Sequence, residues 1–505
     1  MNTSAVNSSA NAMAAPRWSP RLWAILVVLC GALFLDALDV SMVGVALPSI
    51  RADLGLTTSS LQWVVSGYVL GYGGLLLLGG RAADLLGRRR VFLGALAVFA
   101  VASLFGGLAS SAGLLIAARF VKGAAAAFTA PAGLSIITTT FPEGQQRNRA
   151  VSIYSAFGAS GFSLGLVLSG VLTELSWRWT LLLPAPVAVA VLVAAIKLIP
   201  RHSAGRRTRR FDLPGAVTVT AAMLLLVAAL VGAPQSGWAS ARTLALFAAA
   251  AVVLAAFTLL ERRHTDPLLP LSMLRSGSLT RANIGAVVLF GSYVAFQFLV
   301  TQYLQTASGW SALTTALAFL PAGVLVVLAT PRIGTLLDRF GPPRLVAVAL
   351  GCLVLGYAWF LRIGVHPDYP AVILPSVLLI GAAFGLGFSS LNVQATAGVP
   401  DEQQGLASGI VQTAFQVGGA IVLAVVTAVV DARGGNRVLP PATLLAAYRP
   451  ALEVITGVAA VGVVVALSGL AGRGRGTEPV PQPVLASDLV PEEAEEAGYV
   501  EVNRG

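Results

Sequence analysis

Two carboxylates, Asp36 and Asp39, stand three residues apart inside the first long apolar stretch of a 505-residue chain. On a helix that spacing puts both side chains near one face. A carboxylate in an apolar helix is costly to hold as an anion, so it can cycle between protonated and ionised forms. Two cations, Arg119 and Lys122, repeat the three-residue spacing in a later apolar stretch. A buried cation needs a partner or a water-filled cavity. Acids and bases placed this way suit a proton-coupled carrier. The plainer alternatives stay open: structural acids capped by neighbouring helices, Arg119 on a helix-end carbonyl, and Lys122 paired with a neighbour or drawn to an anionic substrate group. Further on, Gln297, Gln302, Gln305, Gln412 and Gln416 are amides in apolar surroundings, accompanied by Phe296, Tyr303 and Phe415. The substrate cavity is therefore expected from Lys122, Gln297, Gln302, Tyr303, Gln412, Phe415 and Gln416. Interhelical hydrogen bonding explains the amides equally well.

The elements that must position these groups are membrane helices. Hydrophobic residues make up 56% of the chain and charged residues 11%, against about 25% charged in soluble proteins. Apolar runs predict fourteen spans, near 22–47, 60–80, 91–111, 113–135, 150–172, 180–199, 214–233, 242–260, 285–305, 313–333, 344–364, 372–394, 405–429 and 451–471. Each is long enough to cross a hydrocarbon core of roughly 30 Å as a helix. Strands are disfavoured, because an open sheet cannot satisfy its backbone groups in lipid. The first run is too long for a signal peptide and is read as a retained span. Arginines cluster after alternate spans: Arg88, Arg89 and Arg90, then Arg206, Arg207, Arg209 and Arg210, then Arg262 and Arg263. That bias puts both termini in the cytoplasm.

An internal repeat divides the chain. Gly80-Arg81-Ala82-Ala83-Asp84-Leu85-Leu86-Gly87, followed by Arg88, lies after the second span. Gly334-Thr335-Leu336-Leu337-Asp338-Arg339-Phe340-Gly341 lies after the tenth. Both are G-x-x-x-D-x-x-G turns. The offset of eight spans predicts two six-helix bundles at 22–200 and 282–471, with two inserted helices and their linkers at 201–281. A cytoplasmic tail is expected at 1–21 and a disordered, Pro- and Glu-rich one at 472–505. Glycines allow the sharp backbone, and each acid can meet a helix N-terminus or an arginine.

These features resemble the major facilitator superfamily, and more narrowly its fourteen-span drug:proton antiporter family, from about Leu22 to Leu470. The turn at Gly80–Gly87 matches the loop motif between that superfamily's second and third helices. Phe34-Leu35-Asp36-Ala37-Leu38-Asp39-Val40-Ser41, leading to Val45-Ala46-Leu47-Pro48, resembles the first-span motif, with Ser41 where Thr is usual. Leu115 to Ala127, with Arg119 and Gly123, resembles the fourth-span motif, and Lys122 stands where Gln is usual. Ser176-Trp177-Arg178-Trp179 and Gln302-Tyr303-Leu304-Gln305 are also familiar from these exporters. In the fifth span, Gly158, Gly161, Gly165 and Gly170 match the antiporter pattern, but Leu166 replaces its proline and Ser169 a glycine. The resemblance implies a major facilitator fold and export of drugs, antibiotics or toxic metabolites in exchange for protons. Asp39 is then the favoured proton-coupling residue, with Asp36 and Arg119. Gly80, Asp84, Gly87, Arg88, Asp338 and Gly341 form the conformational switch. The missing proline keeps an alternative open, a metabolite carrier of the same fold with different or no proton coupling.

Other classes fit poorly. The net charge of +11 invites nucleic acid, but the basic residues lie in short loops rather than on one patch. Cys30 and Cys352 fall inside apolar spans and make no disulfide or metal pattern. No His and carboxylate cluster, phosphate loop or activated Ser or Cys suggests an enzyme or ATP drive. No cofactor is expected beyond a proton gradient, and the chain is expected to work as a monomer in the cell membrane. Two lysines against 31 arginines point to a GC-rich, actinobacterium-like genome. The interior acids Asp36 and Asp39 balance Arg119 and Lys122, so neutral, monovalent or weakly acidic amphiphiles are the expected substrates. The turn motif yields a first prediction. Asp84→Ala should slow turnover more than it weakens substrate binding, because a turn at the membrane surface acts on alternation rather than on a midplane site. Parallel transport and binding measurements check this; lost affinity with a normal rate per bound substrate would put Asp84 in the site.

Overall fold

The computed structural model describes residues 18–142, 145–200, 213–263, 273, 276–399, 401–434 and 440–471. They are helical almost throughout. In chain order the helices are α1 (Pro20–Leu54), α2 (Thr58–Leu86), α3 (Arg88–Gly107), α4 (Ala112–Thr140), α5 (Gln145–Leu175), α6 (Arg178–Leu182), α7 (Pro184–Leu198), α8 (Leu213–Ser236) and α9 (Ala241–Arg263). They continue as α10 (Gly277–Gln302), α11 (Ala312–Phe340), α12 (Pro342–Phe360), α13 (Leu374–Thr396), α14 (Asp401–Ala432) and α15 (Pro441–Ala471). Each predicted stretch falls on one helix, except that 180–199 is the pair α6–α7, broken before Pro184. Wider π-type turns extend α10 at Tyr303–Ala307 and precede α13 at Tyr369–Ile373. Among the described residues, twelve helical segments are long and apolar enough to cross a membrane. The tails at 1–17 and 472–505 and the stretch 201–212 lie outside the described residues.

Local chemistry sets the ends. Ser19 caps α1 by accepting from the Leu22 amide, Pro20 occupies the first turn, and Gly55 ends the helix in the left-handed region at φ 62°. The repeated turns share one backbone solution. Gly87 (φ 92°, ψ 124°) joins α2 directly to α3, and Gly341 (φ 76°, ψ 153°) joins α11 directly to α12. A side chain would strain both, so glycine at each is a backbone requirement.

Helix pairing repeats with the same offset as the motif. In the first part α1 packs on α5, α2 on α4, α3 on α4 and α7, and α1 on α7. In the last part α10 packs on α14, α11 on α13, α12 on α13 and α15, and α10 on α15. The main pairs joining the parts are α2 with α14 and α5 with α11, and α1 also touches α10 and α11. Helix α8 packs on α9 and also lies against both α2 and α14. Small residues permit the close approaches. A Cβ on Gly123 would lie 2.8 Å from the Tyr68 carbonyl carbon, and one on Gly165 would lie 2.7 Å from the Leu38 carbonyl oxygen. Gly158, Gly161 and Gly165 of α5 thus form the seat of α1. Contacts between the parts include Gly170 against Ala316 and Leu313, and Gln305 Nε2 donating to the Val45 carbonyl at 3.1 Å. Both lie toward the face opposite the one where α1 begins.

The α2–α4 approach yields a second prediction. Gly123→Leu is expected to destabilise the protein by about 3 kcal/mol or more, since backbone must move to admit the side chain. Gly94→Leu, on α3 with open space around it, is the control. Melting temperatures of the two purified variants check this; equal values would show that close approach of α2 and α4 is not required.

Candidate functional site

Asp39 is the centre of a buried charge cluster. One carboxylate oxygen accepts from the Arg119 guanidinium and the other from the Lys122 ammonium. Asp39 and Lys122 are 0% exposed and Arg119 is 2% exposed. Arg119 and Lys122 reach one acid because three residues on α4 bring them to one face. Each cation also has an aromatic face: Arg119 lies 4.6 Å over the Tyr68 ring of α2, and Lys122 lies 4.8 Å from the Phe99 ring of α3. Arg119 Nε donates to the Val64 carbonyl at 3.1 Å. Among the described residues the ion pairs of both cations are with Asp39, and Asp36 makes none with them. It accepts from the Thr129 hydroxyl at 3.1 Å and is 7% exposed.

Beside this cluster a cavity of about 30 Å³ opens where α1, α2, α4, α10 and α14 converge. Its polar lining is Tyr68, Arg119, Gln297 and Gln416, set among Val40, Phe290 and Val294. That volume holds about two waters, whereas a drug-sized ligand needs a few hundred Å³. The two parts of the chain must separate to admit one. Gln297 lies over Gly44, where a Cβ would come 3.1 Å from its Nε2, and that nitrogen has no hydrogen-bond partner among the described residues.

The remaining expected residues are placed as follows. Lys122 lies on Asp39 and Phe99, outside the cavity lining. Gln302 is fully buried with its amide unpartnered among the described residues. The Tyr303 hydroxyl donates to the Gly364 carbonyl at 2.7 Å. Gln412 donates to Asn392 at 3.3 Å, and Phe415 stacks on Phe388 with ring centres 5.0 Å apart. In the turns, Gly80 faces Pro131, Arg88 donates to the Ser135 carbonyl at 3.2 Å, and Asp338 is exposed. The Asp84 side chain lies outside the described residues. Sequence reasoning passed over Tyr68, Phe99 and Thr129. A signal existed for Thr129, a polar residue seven positions after Lys122 and so on the same stripe of α4.

The sequence pattern described as the Major Facilitator Superfamily matches residues 29–423. The chain is 39% identical over 420 residues to the puromycin resistance protein pur8 of Streptomyces alboniger, covering 81% of this chain and 82% of that one. It is 40% identical over 410 residues to the cephamycin export protein CmcT of Amycolatopsis lactamdurans, covering 80% and 84%. It is 36% identical over 413 residues to the lincomycin resistance protein of Streptomyces lincolnensis, covering 80% and 83%. Its fold is similar to that of the nucleoside transporter NupG, with a TM-score of 0.62 at 14% identity over 88% of this chain and 99% of that one.

The cluster gives a third prediction. Asp39→Asn leaves two shielded cations without their acid and is expected to cost about 3–5 kcal/mol of stability. Adding Lys122→Met should recover most of that loss, and Lys122→Met alone should cost little. Unfolding of the purified variants in a double-mutant cycle measures the coupling; additive losses would mean that Asp39 and Lys122 do not depend on each other.

Proposed function

The chain belongs to the major facilitator superfamily, and from that premise we propose that it exports amphipathic small molecules across the cytoplasmic membrane in exchange for protons. Drugs, antibiotics and toxic metabolites are the substrate classes. The observation that carries the reading is the buried Asp39–Arg119–Lys122 cluster, whose arginine borders a cavity between the two parts of the chain. Together with Asp36 one helical turn away, such a cluster places charge in the membrane interior that can be exchanged with substrate or proton. Relatives that bear names of puromycin and lincomycin resistance and of cephamycin export support antibiotics as the cargo.

The architecture we assign has fourteen spans. Six fall in 22–200, six in 282–471, and α8 and α9 are the two inserted between them. The repeated helix pairing supports this division. Both termini are assigned to the cytoplasm, so the contacts Gly170 with Ala316 and Gln305 with Val45 close the outer side. Coupling falls to Asp36, Asp39 and Arg119. Alternation falls to the turns at Gly80–Arg88 and Asp338–Gly341, whose matched backbones hold adjacent helices at a fixed angle. The protein works as a monomer on the proton gradient.

A single assay tests the reading. Inverted membrane vesicles should accumulate at least one neutral or weakly acidic antibiotic several-fold over a control, and collapse of the proton gradient should abolish the uptake. Bis-quaternary dications should be poor substrates, because each positive charge needs a counter-charge in a low-dielectric site and, among the described residues, no acid besides Asp36 and Asp39 lies near the middle of a span. Uptake indifferent to the gradient would favour the metabolite carrier, a reading with which Leu166 in place of proline agrees. Dications as the best substrates would refute the charge argument.

A further inference from the structure

We propose that the two acids of α1 divide the work: Asp36, with the Thr129 hydroxyl, takes up and releases the coupled proton, while Asp39 stays ionised as the shared counter-ion of Arg119 and Lys122. The role in coupling rests on the exporter reading above; the geometry does not. A proton on Asp39 would leave two buried cations facing each other without their counter-charge. Lys122 makes the difference, because with Arg119 alone a protonated Asp39 would strand only one charge.

Asp36 has the opposite surroundings. Its hydrogen-bond partner is a hydroxyl, and it lies one helical turn nearer the face where α1 begins. Thr129 Oγ1 is 3.1 Å from the Asp36 carboxylate, and also 3.1 Å and 3.2 Å from the Ala125 and Ala126 carbonyls of its own helix. It has one hydrogen for three acceptors. With Asp36 ionised, the hydroxyl donates to the carboxylate. With Asp36 protonated, the new O–H donates to the Thr129 oxygen and the threonine hydrogen turns back to a helix carbonyl. Both protonation states are satisfied by rotation about one bond. A fixed cation offers no such pair of states.

The other groups around Asp36 are compatible with this. Lys122 comes from α4, Tyr68 and Tyr72 from α2, Tyr154 from α5, and Asp39 from α1 itself. On α5, Arg147 donates to the Phe141 carbonyl, Arg149 lies over the Trp18 ring and Glu174 is exposed. Arg178 of α6 pairs with Asp53, Lys197 lies in the last turn of α7, and Tyr293 of α10 packs on Phe162 and Phe384. On α11, Arg332, Asp338 and Arg339 are exposed toward its end. The step itself is simple: a proton adds to a carboxylate oxygen of Asp36 from water on one side and leaves that oxygen to water on the other. The formal charge of Asp36, Asp39, Arg119 and Lys122 together moves between zero and one positive. The cavity wall at Arg119 senses that change.

The test is pH-difference infrared spectroscopy on the full chain in lipid nanodiscs, reading the C=O stretch of a buried protonated carboxyl. The band should titrate in the wild type, vanish in Asp36→Asn and persist in Asp39→Asn. Thr129→Val should move the titration midpoint by about one pH unit, and Thr129→Ser should restore it. The threonine pair decides the matter if Asp39→Asn does not fold. A band that survives Asp36→Asn, or a Thr129→Val midpoint equal to wild type, overturns the assignment. The reading needs no substrate, so it can fail while gradient-driven export stands, and stand while export fails.

Discussion

One buried carboxylate holds two buried cations, and most of the first part of the molecule follows from that constraint. Removing three charges from water is tolerable only when geometry is good and remaining donors are satisfied. Helix α4 must face α1 with Arg119 and Lys122 at the level of Asp39. Helix α2 must come close enough for Val64 to accept from Arg119 and for Tyr68 to lie beneath it. Helix α3 must present Phe99 to Lys122. The glycines that bring α2 onto α4 and α5 onto α1 are therefore part of the charge site, although none carries a polar group. A helix displaced outward by one methyl group would open the cluster to water or break it.

The constraint also separates the chemistry of the two parts. Among the described residues, the buried charged side chains are Asp36, Asp39, Arg119 and Lys122, with Glu261 near the end of α9. The four interior charges stand on two helices of one part. The corresponding surfaces of the other part offer amides and rings: Gln297, Gln416, Phe290 and Phe415. An amide is indifferent to protonation near neutral pH and can turn its donor or acceptor toward a ligand. One part thus carries the buried charges, the other a polar and aromatic surface, and the small cavity is where they meet. Because the cluster lies wholly within one part, rocking between the parts need not break it.

Much of this was legible in the sequence, for identifiable reasons. Hydropathy marks spans because lipid forbids unsatisfied backbone, and the paired G-x-x-x-D-x-x-G turns mark the repeat because only glycine adopts the φ values found at Gly87 and Gly341. Asp36, Asp39, Arg119 and Lys122 stood out because charge in an apolar run is rare. Their partners were not legible. Whether Lys122 points to the cavity or to Asp39 depends on the rotation of α4 about its own axis, which side-chain spacing alone does not fix. Phe99 and Tyr68 are ordinary aromatic residues until α3 and α2 are placed. The break between α6 and α7 was hidden by uniform apolarity across Leu183 and Pro184, although a proline at a first turn is itself a helix-start signal.

The repeat would make the two seams between the parts equivalent, α2 with α14 and α5 with α11, and the inserted helix removes that equivalence. Leu224 of α8 lies against Gly74 of α2, and Val227 and Val231 pack with Val69 of α2 and Ala420 of α14. An apolar strap of this kind resists shear weakly but resists separation, because parting it leaves α8 attached to one neighbour and unpacked from the other. Movement at the α2–α14 seam must then slide side chains along α8 or carry α8 with one part. At the α5–α11 seam, Gly170 meets Ala316 and the Leu313 backbone, a close contact made directly between the two parts. The two seams therefore differ, one covered by α8 and the other a direct contact between the parts, and this asymmetry comes from the helices that interrupt the repeat.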